Sequence, residues 1–447
     1  MTLTEVLDLV DRLVKNQRGK HLNDLEKRVI QGLWEHKTYY QIATQYGYDE
    51  NYIGDVSRRL FRQLSEELSQ DIKKSNFCWT IERANSSQFF GSVSGTVNFY
   101  STSPTSSSNS FIANNSDSNP AQTNDLTLAP KLTRFYDRTP ELETLSHWIF
   151  TENTRLVSVV GLSGIGKTTL VKRFIDLNQQ KFDAIIWKSI KITPDFNTLL
   201  RDVTGAYIDI DEITEKSIFC ELLNLFKKQK ILLVLDDIQN LFTSRYFAGQ
   251  YQECFTEYQD FFQRMAEIEH QSNLILISQE QCQEMQGNSE KSDPVKLLQL
   301  QGLTTTNILS HTQLKDQPSW PQLIDLYEGH PANLQNIASL IESLFSGKVS
   351  YFLTEAGRIL TVDIKFKIGE TFKRLSPIET EIMIQISQAQ QPLSRGDLIQ
   401  KLDISFVDVI NGINSLIRRN LIQRIDGNSE TVYFDCSDLI RDYIKSL

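Results

Sequence analysis

The sequence predicts an α/β domain on a parallel, doubly wound sheet, with an all-helical unit before it and a helical unit and a winged helix after it. Three observations lead there. An apolar run, Leu156–Val160, is followed by Gly161-Leu162-Ser163-Gly164-Ile165-Gly166-Lys167-Thr168-Thr169 and then a helical pattern through Val171, Phe174 and Ile175. A second run, Ile231–Leu235, has no polar alternation and ends in Asp236 and Asp237; such runs suit strands buried on both faces. Strand-like segments (156–160, 182–190, 230–237, 274–278, 295–300) alternate with helical ones (141–150, 196–206, 215–228, 250–270), the order of a parallel α/β sheet.

The first run carries the chemistry. G-x-x-x-x-G-K-[ST] between a strand and a helix is a phosphate-binding loop. Gly161, Gly164 and Gly166 let backbone N–H groups turn inward, the helix that follows adds its positive end, and Thr169 is expected to join the phosphate cradle. Lys167 is placed to reach β and γ phosphates, and Thr168 to ligate Mg²⁺. The paired carboxylates sit at the C-terminal end of their strand, where open α/β sheets bind ligands. Asp236 is the expected Mg²⁺ residue and Asp237 the catalytic candidate that orients or activates water.

The bulk properties exclude several classes. A chain of 447 residues with 40% hydrophobic and 23% charged residues is ordinary globular material for two to four domains. The net charge of −10 opposes whole-molecule attraction to nucleic acid or anionic membrane. Five cysteines (Cys78, Cys220, Cys254, Cys282, Cys436) lie far apart without metal or redox spacing, which reads as reduced thiols of a cytoplasmic protein. No apolar run has the length of a membrane span, and the start MTLTEVLDLVDRLV lacks a basic signal-peptide region.

Residues 1–84 read as a helical unit. Leu3, Val6, Leu7, Leu9, Val10 and Leu13 share one helical face, and Leu25, Val29, Ile30, Leu33 and Trp34 another. A short helix at 38–43, a break at Gly47 and a cap at Asp49 lead into a helix with Tyr52, Ile53, Val56, Leu60, Phe61 and Leu64 inward. That is a helix-turn-helix outline. Arg58, Arg59 and Arg62 are available to phosphates, but 13 basic and 13 acidic residues cancel across 1–84, so protein interaction is favoured over DNA binding. The run from Leu33 to Leu68 resembles the helix-turn-helix module at the N-terminus of bacterial, notably cyanobacterial, signalling NTPases, which implies a link to protein partners or effectors.

Residues 85–130 read as a flexible linker, because Ser101–Asn124 is mostly Ser, Thr, Asn, Pro and Asp. Phe89, Phe90, Val93, Val97, Phe99 and Tyr100 interrupt it, as a strand pair around Gly95 or a docking segment. The order FYDR, GLSGIGKTT, LLVLDD, LILIS, GHPANL from 135 onward is similar to the NB-ARC type of STAND NTPases, nucleotide switches related to plant resistance proteins and the apoptosome scaffold. The resemblance implies bound ADP or ATP with Mg²⁺, an α/β domain at 131–305, a helical subdomain at 306–364 and a winged helix at 365–447.

It also implies residue roles. Phe135, Arg138, Glu141 and Leu142 match the segment beside the adenosine, with Asp137 in place of glycine, expected to alter a turn. Ser278 matches the end of the fourth strand motif, but Gln279 stands where the family's γ-phosphate-sensing arginine belongs. Gly329 and Pro331 match the G-x-P motif at the adenine; Pro331 also suits a first helical turn. His330 reads as an exposed turn residue. Ser376-Pro377-Ile378-Glu379 is a capping-box helix start, followed by helices at 379–388, 395–402 and 406–419 and a hairpin of 421–425 with 431–434. Acidic and basic residues nearly cancel across 365–447, which argues against DNA and for closure over the nucleotide, as in the family. Cys436-Ser437-Asp438 matches the closing Met-His-Asp, with Ser437 replacing the histidine that contacts ADP.

The expected function is a nucleotide switch whose ADP or ATP state controls docking of the winged helix and partner assembly, with self-assembly on activation. Two alternatives stand beside it: a DNA-binding regulator with an NTPase switch, and a scaffold that holds ADP without turnover.

Overall fold

The computed structural model describes residues 3–34, 37, 39–68, 72, 77, 80, 81, 123–205, 215–287, 293–426 and 431–447. The chain divides into two compact units, Met1–Ser118 and Asn119–Leu447. Most of the expected linker, including the aromatic residues around Gly95, lies outside the described residues.

In the first unit, α1 (Leu3–Arg18), α2 (Asp24–Trp34), α3 (Tyr39–Tyr46) and α4 (Glu50–Leu68) enclose a core of Val6, Leu9, Val10, Val29, Ile30, Ile53 and Leu60. Gly47 takes φ 74° between α3 and α4, a left-handed turn that glycine adopts without penalty. The Asp49 carboxylate accepts from Tyr52 N at 3.4 Å. Gly32 has no room for a side chain, because an added Cβ meets Ile42 at 2.5 Å. Arg58, Arg59 and Arg62 are exposed on α4, and Arg58 pairs with Asp55 at 3.0 Å.

The second unit is built on a six-stranded parallel sheet of order β1-β3-β4-β5-β2-β6. The strands are β1 (Thr123–Asp125), β2 (Leu156–Val160), β3 (Ala184–Ser189), β4 (Ile231–Asp236), β5 (Asn273–Ser278) and β6 (Val295–Gln299). Among the described residues, five helices cover them: α5 (Thr139–Phe150), α6 (Lys167–Asn178), α7 (Phe196–Thr204), α8 (Glu215–Lys228) and α9 (Thr256–Glu267). The absence of polar alternation has a direct cause. Leu156, Val160, Leu233 and Leu235 enter one core, whereas Val157, Val159, Leu232 and Val234 enter another across the sheet.

β1 falls inside the segment read as linker, so the ordered α/β unit begins before residue 131. Composition hid it. Asn124 is a poor strand former, yet its side-chain oxygen accepts from Ile185 N at 3.0 Å. Lys188 donates to Asp125 at 2.9 Å and Asp202 at 3.3 Å. Leu126, Leu128 and Ala129 then pack against the core beneath.

The helical segment continues with α10 (Trp320–Leu326), α11 (Pro331–Leu344), α12 (Val349–Glu355) and α13 (Val362–Phe372). The expected boundary at 364/365 falls inside α13. Next come α14 (Pro377–Gln388), β7 (Leu393–Ser394), α15 (Arg395–Lys401), α16 (Phe406–Arg418), β8 (Ile422–Asp426), β9 (Val432–Cys436) and α17 (Asp438–Lys445). β7, β9 and β8 form an antiparallel sheet. Three helices and a hairpin follow in the order expected of a winged helix. The capping box at Ser376 is formed in both directions, Ser376 N to Glu379 at 2.8 Å and Glu379 N to Ser376 at 3.2 Å.

Candidate functional site: a phosphate loop under two helical units

The loop between β2 and α6 places three glycines with positive φ, Gly161 (151°), Gly164 (84°) and Gly166 (106°). A side chain at Gly164 would meet Ala332 at 2.8 Å. Space at Gly166 is open, and its conformation alone selects glycine. Lys167 begins α6, is buried, and donates to Gly161 O and Leu162 O, each at 2.9 Å. Its ammonium thus lies across the mouth of its own loop, bonded to carbonyl oxygens where phosphate oxygens would compete. Burial pushes its pKa down to about 8, against the pull of Asp236 and Asp237.

Asp236 ends β4 and is buried; desolvation first, then neighbouring Asp237, raises its pKa to about 6. The Thr168 hydroxyl hydrogen-bonds to it, so the two expected metal residues touch. A hydroxyl and a carboxylate at one point are hard oxygen donors of the kind Mg²⁺ takes. The donor set and the positive-φ glycines of the loop fit a Mg²⁺–nucleotide. Thr169 is half-buried in the first turn of α6. Asp237 takes φ 63° and accepts from Gln239 Nε2 at 2.9 Å and Ser189 Oγ at 3.4 Å.

Arg138 reaches this loop from the N-cap position of α5. It is buried and donates to Ile165 O at 3.2 Å, Gln301 O at 2.6 Å and Glu141 at 2.7 Å. Asp137 takes φ 54°, a left-handed conformation that Asp tolerates better than most residues.

Residues 138–247 match the NB-ARC domain family, and residues 1–84 match the family described as vWA-MoxR associated protein N-terminal HTH. The chain carries an NB-ARC domain. An uncharacterized WD repeat-containing protein of Nostoc sp. (strain PCC 7120) is 29% identical over 344 residues, 71% of this chain and 27% of that protein. The Arabidopsis thaliana disease resistance protein SUMM2 is 31% identical over 108 residues, 22% of this chain and 12% of its own. The chain therefore spans about a quarter or less of the length of these curated relatives. Among solved structures, a Walker-type ATPase of Pyrococcus abyssi aligns with TM-score 0.48 at 14% identity, over 70% of this chain and 96% of that one. A STAND protein with a tetratricopeptide repeat sensor from Pyrococcus horikoshii aligns with TM-score 0.32 at 16% identity, over 71% and 43%.

The NB-ARC phosphate loop is held from the helical units as well. His330, expected to be exposed, is 7% exposed. Its Nδ1 accepts from Asn333 N at 3.3 Å as the cap of α11, and its Nε2 meets Ser163 O at 3.0 Å. Burial lowers its pKa to about 4. The signal that misled was the Gly-His-Pro turn; turns are usually exposed, but this one packs onto the loop. Pro331 starts α11 at this contact.

Ser278 and Ser437 are placed differently. Ser278 Oγ exchanges hydrogen bonds with Glu280 backbone, donating to its O at 2.6 Å and accepting from its N at 3.2 Å. Ser437 caps α17, accepting from Ile440 N at 3.4 Å, and lines a cleft with Ser163 and His330. Gln279 N donates to Gln239 Oε1 at 3.2 Å, so Gln239 bridges Asp237 and the end of β5.

Beyond Gln279 lies a group that sequence reasoning missed. Buried Glu280 pairs with Arg374 at 2.5 Å and with Arg419. Arg419 also pairs with fully buried Glu379 at 2.8 Å and donates to Tyr246 O at 2.8 Å. Arg374 donates to Gln239 O at 2.8 Å. Two acids and two arginines thus join the carboxyl end of β5 to α14 and α16.

Proposed function

We propose that this chain is a nucleotide switch in signalling: ADP or ATP with Mg²⁺ binds at the phosphate loop, and the nucleotide state sets how the helical and winged-helix units dock on it. The observation that carries this reading is the hydrogen bond from His330 of α11 to Ser163 of the loop. The segment built to hold phosphates is the same segment that the downstream units grip. Gly161, Gly164, Gly166, Thr169 and the start of α6 supply backbone donors, with Lys167 as the cation and Arg138 and Pro331 as supports near the base. Thr168 and Asp236 hold Mg²⁺, which neutralises phosphate charge when bound. Asp237, fixed by Gln239, orients water for slow hydrolysis.

The test is binding of ADP and ATP to the full chain. Lys167→Ala is expected to weaken both at least tenfold; unchanged affinity overturns the site. Chromatography of nucleotide released from the denatured protein identifies the resident form, ADP for a closed switch.

A second reading, an ADP-holding scaffold without turnover, draws on Gln279 in place of an arginine and on Ser437 occupied in capping α17. Repeated turnover of ATP excludes it. Location in the cytoplasm, protein partners for the N-terminal unit, self-assembly on activation and a defence role, for which the plant relatives named disease resistance proteins are the motive, belong to the same proposal.

A further inference from the structure

The cleft beside the phosphate loop contains a cation that none of these roles uses. Leu162 and Ser163 of the loop line it together with His330, Glu328, Ser437 and, from α13, Lys367 and Thr371. Lys367 is half-buried and has no hydrogen bond or ion pair among the described residues. Nearby acids are engaged elsewhere. On α13, Asp363 accepts from Asn336 Nδ2 at 2.9 Å, and Glu370 pairs with Lys373 at 2.5 Å. Glu328, in the same cleft, accepts from Leu439 N at 3.2 Å.

Lys367 and Lys167 act on one group: both disfavour the protonated His330 imidazole, after the larger effect of burial. Lys367 lines the cleft with Leu162 and Ser163, and Lys167 donates to Leu162 O at 2.9 Å, so both lysines lie at backbone whose glycine spacing is made for phosphate. A partly desolvated ammonium without a partner favours an anion there, since charge interactions strengthen as water is excluded. Lysine binds phosphate as a point charge on a flexible stem, so four methylenes can bring it in from a neighbouring helix.

We propose that Lys367 is a phosphate-contacting residue, its ammonium binding the phosphates of a nucleoside diphosphate seated in the loop and so tying α13 to the bound nucleotide. This rests on the reading of the loop as a nucleotide site. The contact makes affinity depend on phosphate count and gives α13 a direct means of sensing whether the loop is filled.

Calorimetric titration of the full chain with ADP and AMP tests it, using Lys367→Gln, Lys367→Arg, Lys373→Gln and Lys167→Ala. Lys367→Gln is expected to weaken ADP about tenfold and AMP much less, Lys367→Arg to recover most of the loss, and Lys373→Gln to change nothing. The thermal midpoint of unliganded Lys367→Gln should match that of the parent. If Lys367→Gln binds ADP like the parent while Lys167→Ala does not, the proposal is overturned and the loop reading stands. If Lys167→Ala also binds normally, the loop reading itself falls. Equal weakening of ADP and AMP by Lys367→Gln makes the residue a packing element and overturns the proposal as well.

Discussion

At His330 the tautomer is fixed by its neighbours. Nδ1 accepts from Asn333 N, so Nε2 carries the proton donated to Ser163 O. Protonation would destroy the cap. With a folded pKa near 4 against an ordinary 6.5, the unfolded state binds the extra proton first as pH falls. The contribution is complete above pH 6.5, is lost between 6.5 and 4, and is constant below. The size is roughly 3 kcal/mol. His330→Asn keeps a cap and lacks the titration, so its midpoint should fall less than the parent's between pH 6.5 and 4; parallel curves would refute this. His330→Leu loses cap and loop contact together and should weaken ADP severalfold, a loss that titration of the variant checks. None of this was visible in Gly-His-Pro, because burial is set by a loop 167 positions away. The phosphate loop and the paired aspartates were legible because all their information is local: glycines, a strand before, a helix after.

Among the elements, α14 is the most instructive. Its capping box was readable from Ser376 and Glu379, three positions apart in one turn. The second duty of Glu379 was not. Its carboxylate also accepts from Ser415 Oγ at 2.6 Å and Arg419 Nε at 2.8 Å, and the Glu280–Arg419 contact spans 139 positions. No local pattern pairs such residues. Removing one member leaves a buried charge uncompensated, at a cost of about 3–5 kcal/mol. Arg419→Ala and Glu379→Ala should each destabilise the α/β-containing unit by that order in urea, and less than 1 kcal/mol would show the group to be incidental. Because Gln239 meets both Asp237 and Arg374, Glu280→Gln is expected to change Mg²⁺-dependent ATP affinity too, which calorimetry reads directly.

For the whole molecule, charge gives the plainest expectation. With a net charge of −10 and basic and acidic residues balanced in both helix-turn-helix-like units, the full chain should not retain duplex DNA in a mobility shift at moderate salt. Retention that weakens steeply with added salt would favour the DNA-binding alternative. The order of units was legible at this scale because composition changes between them. The start of the α/β unit was not, since β1 is short, polar and recognisable only through β3. That strand has a practical meaning for anyone trimming the gene. The sheet ends in β1 on one side, and a fragment beginning at Lys131 would remove it together with Leu126, Leu128 and Ala129, baring the edge of β3 and the apolar patch beneath. Unpaired edges recruit one another, so that fragment should precipitate or run as soluble aggregates on size exclusion, whereas one beginning at Asn119 should stay dispersed: three polar residues act as the selvedge that keeps one sheet from being stitched to the next.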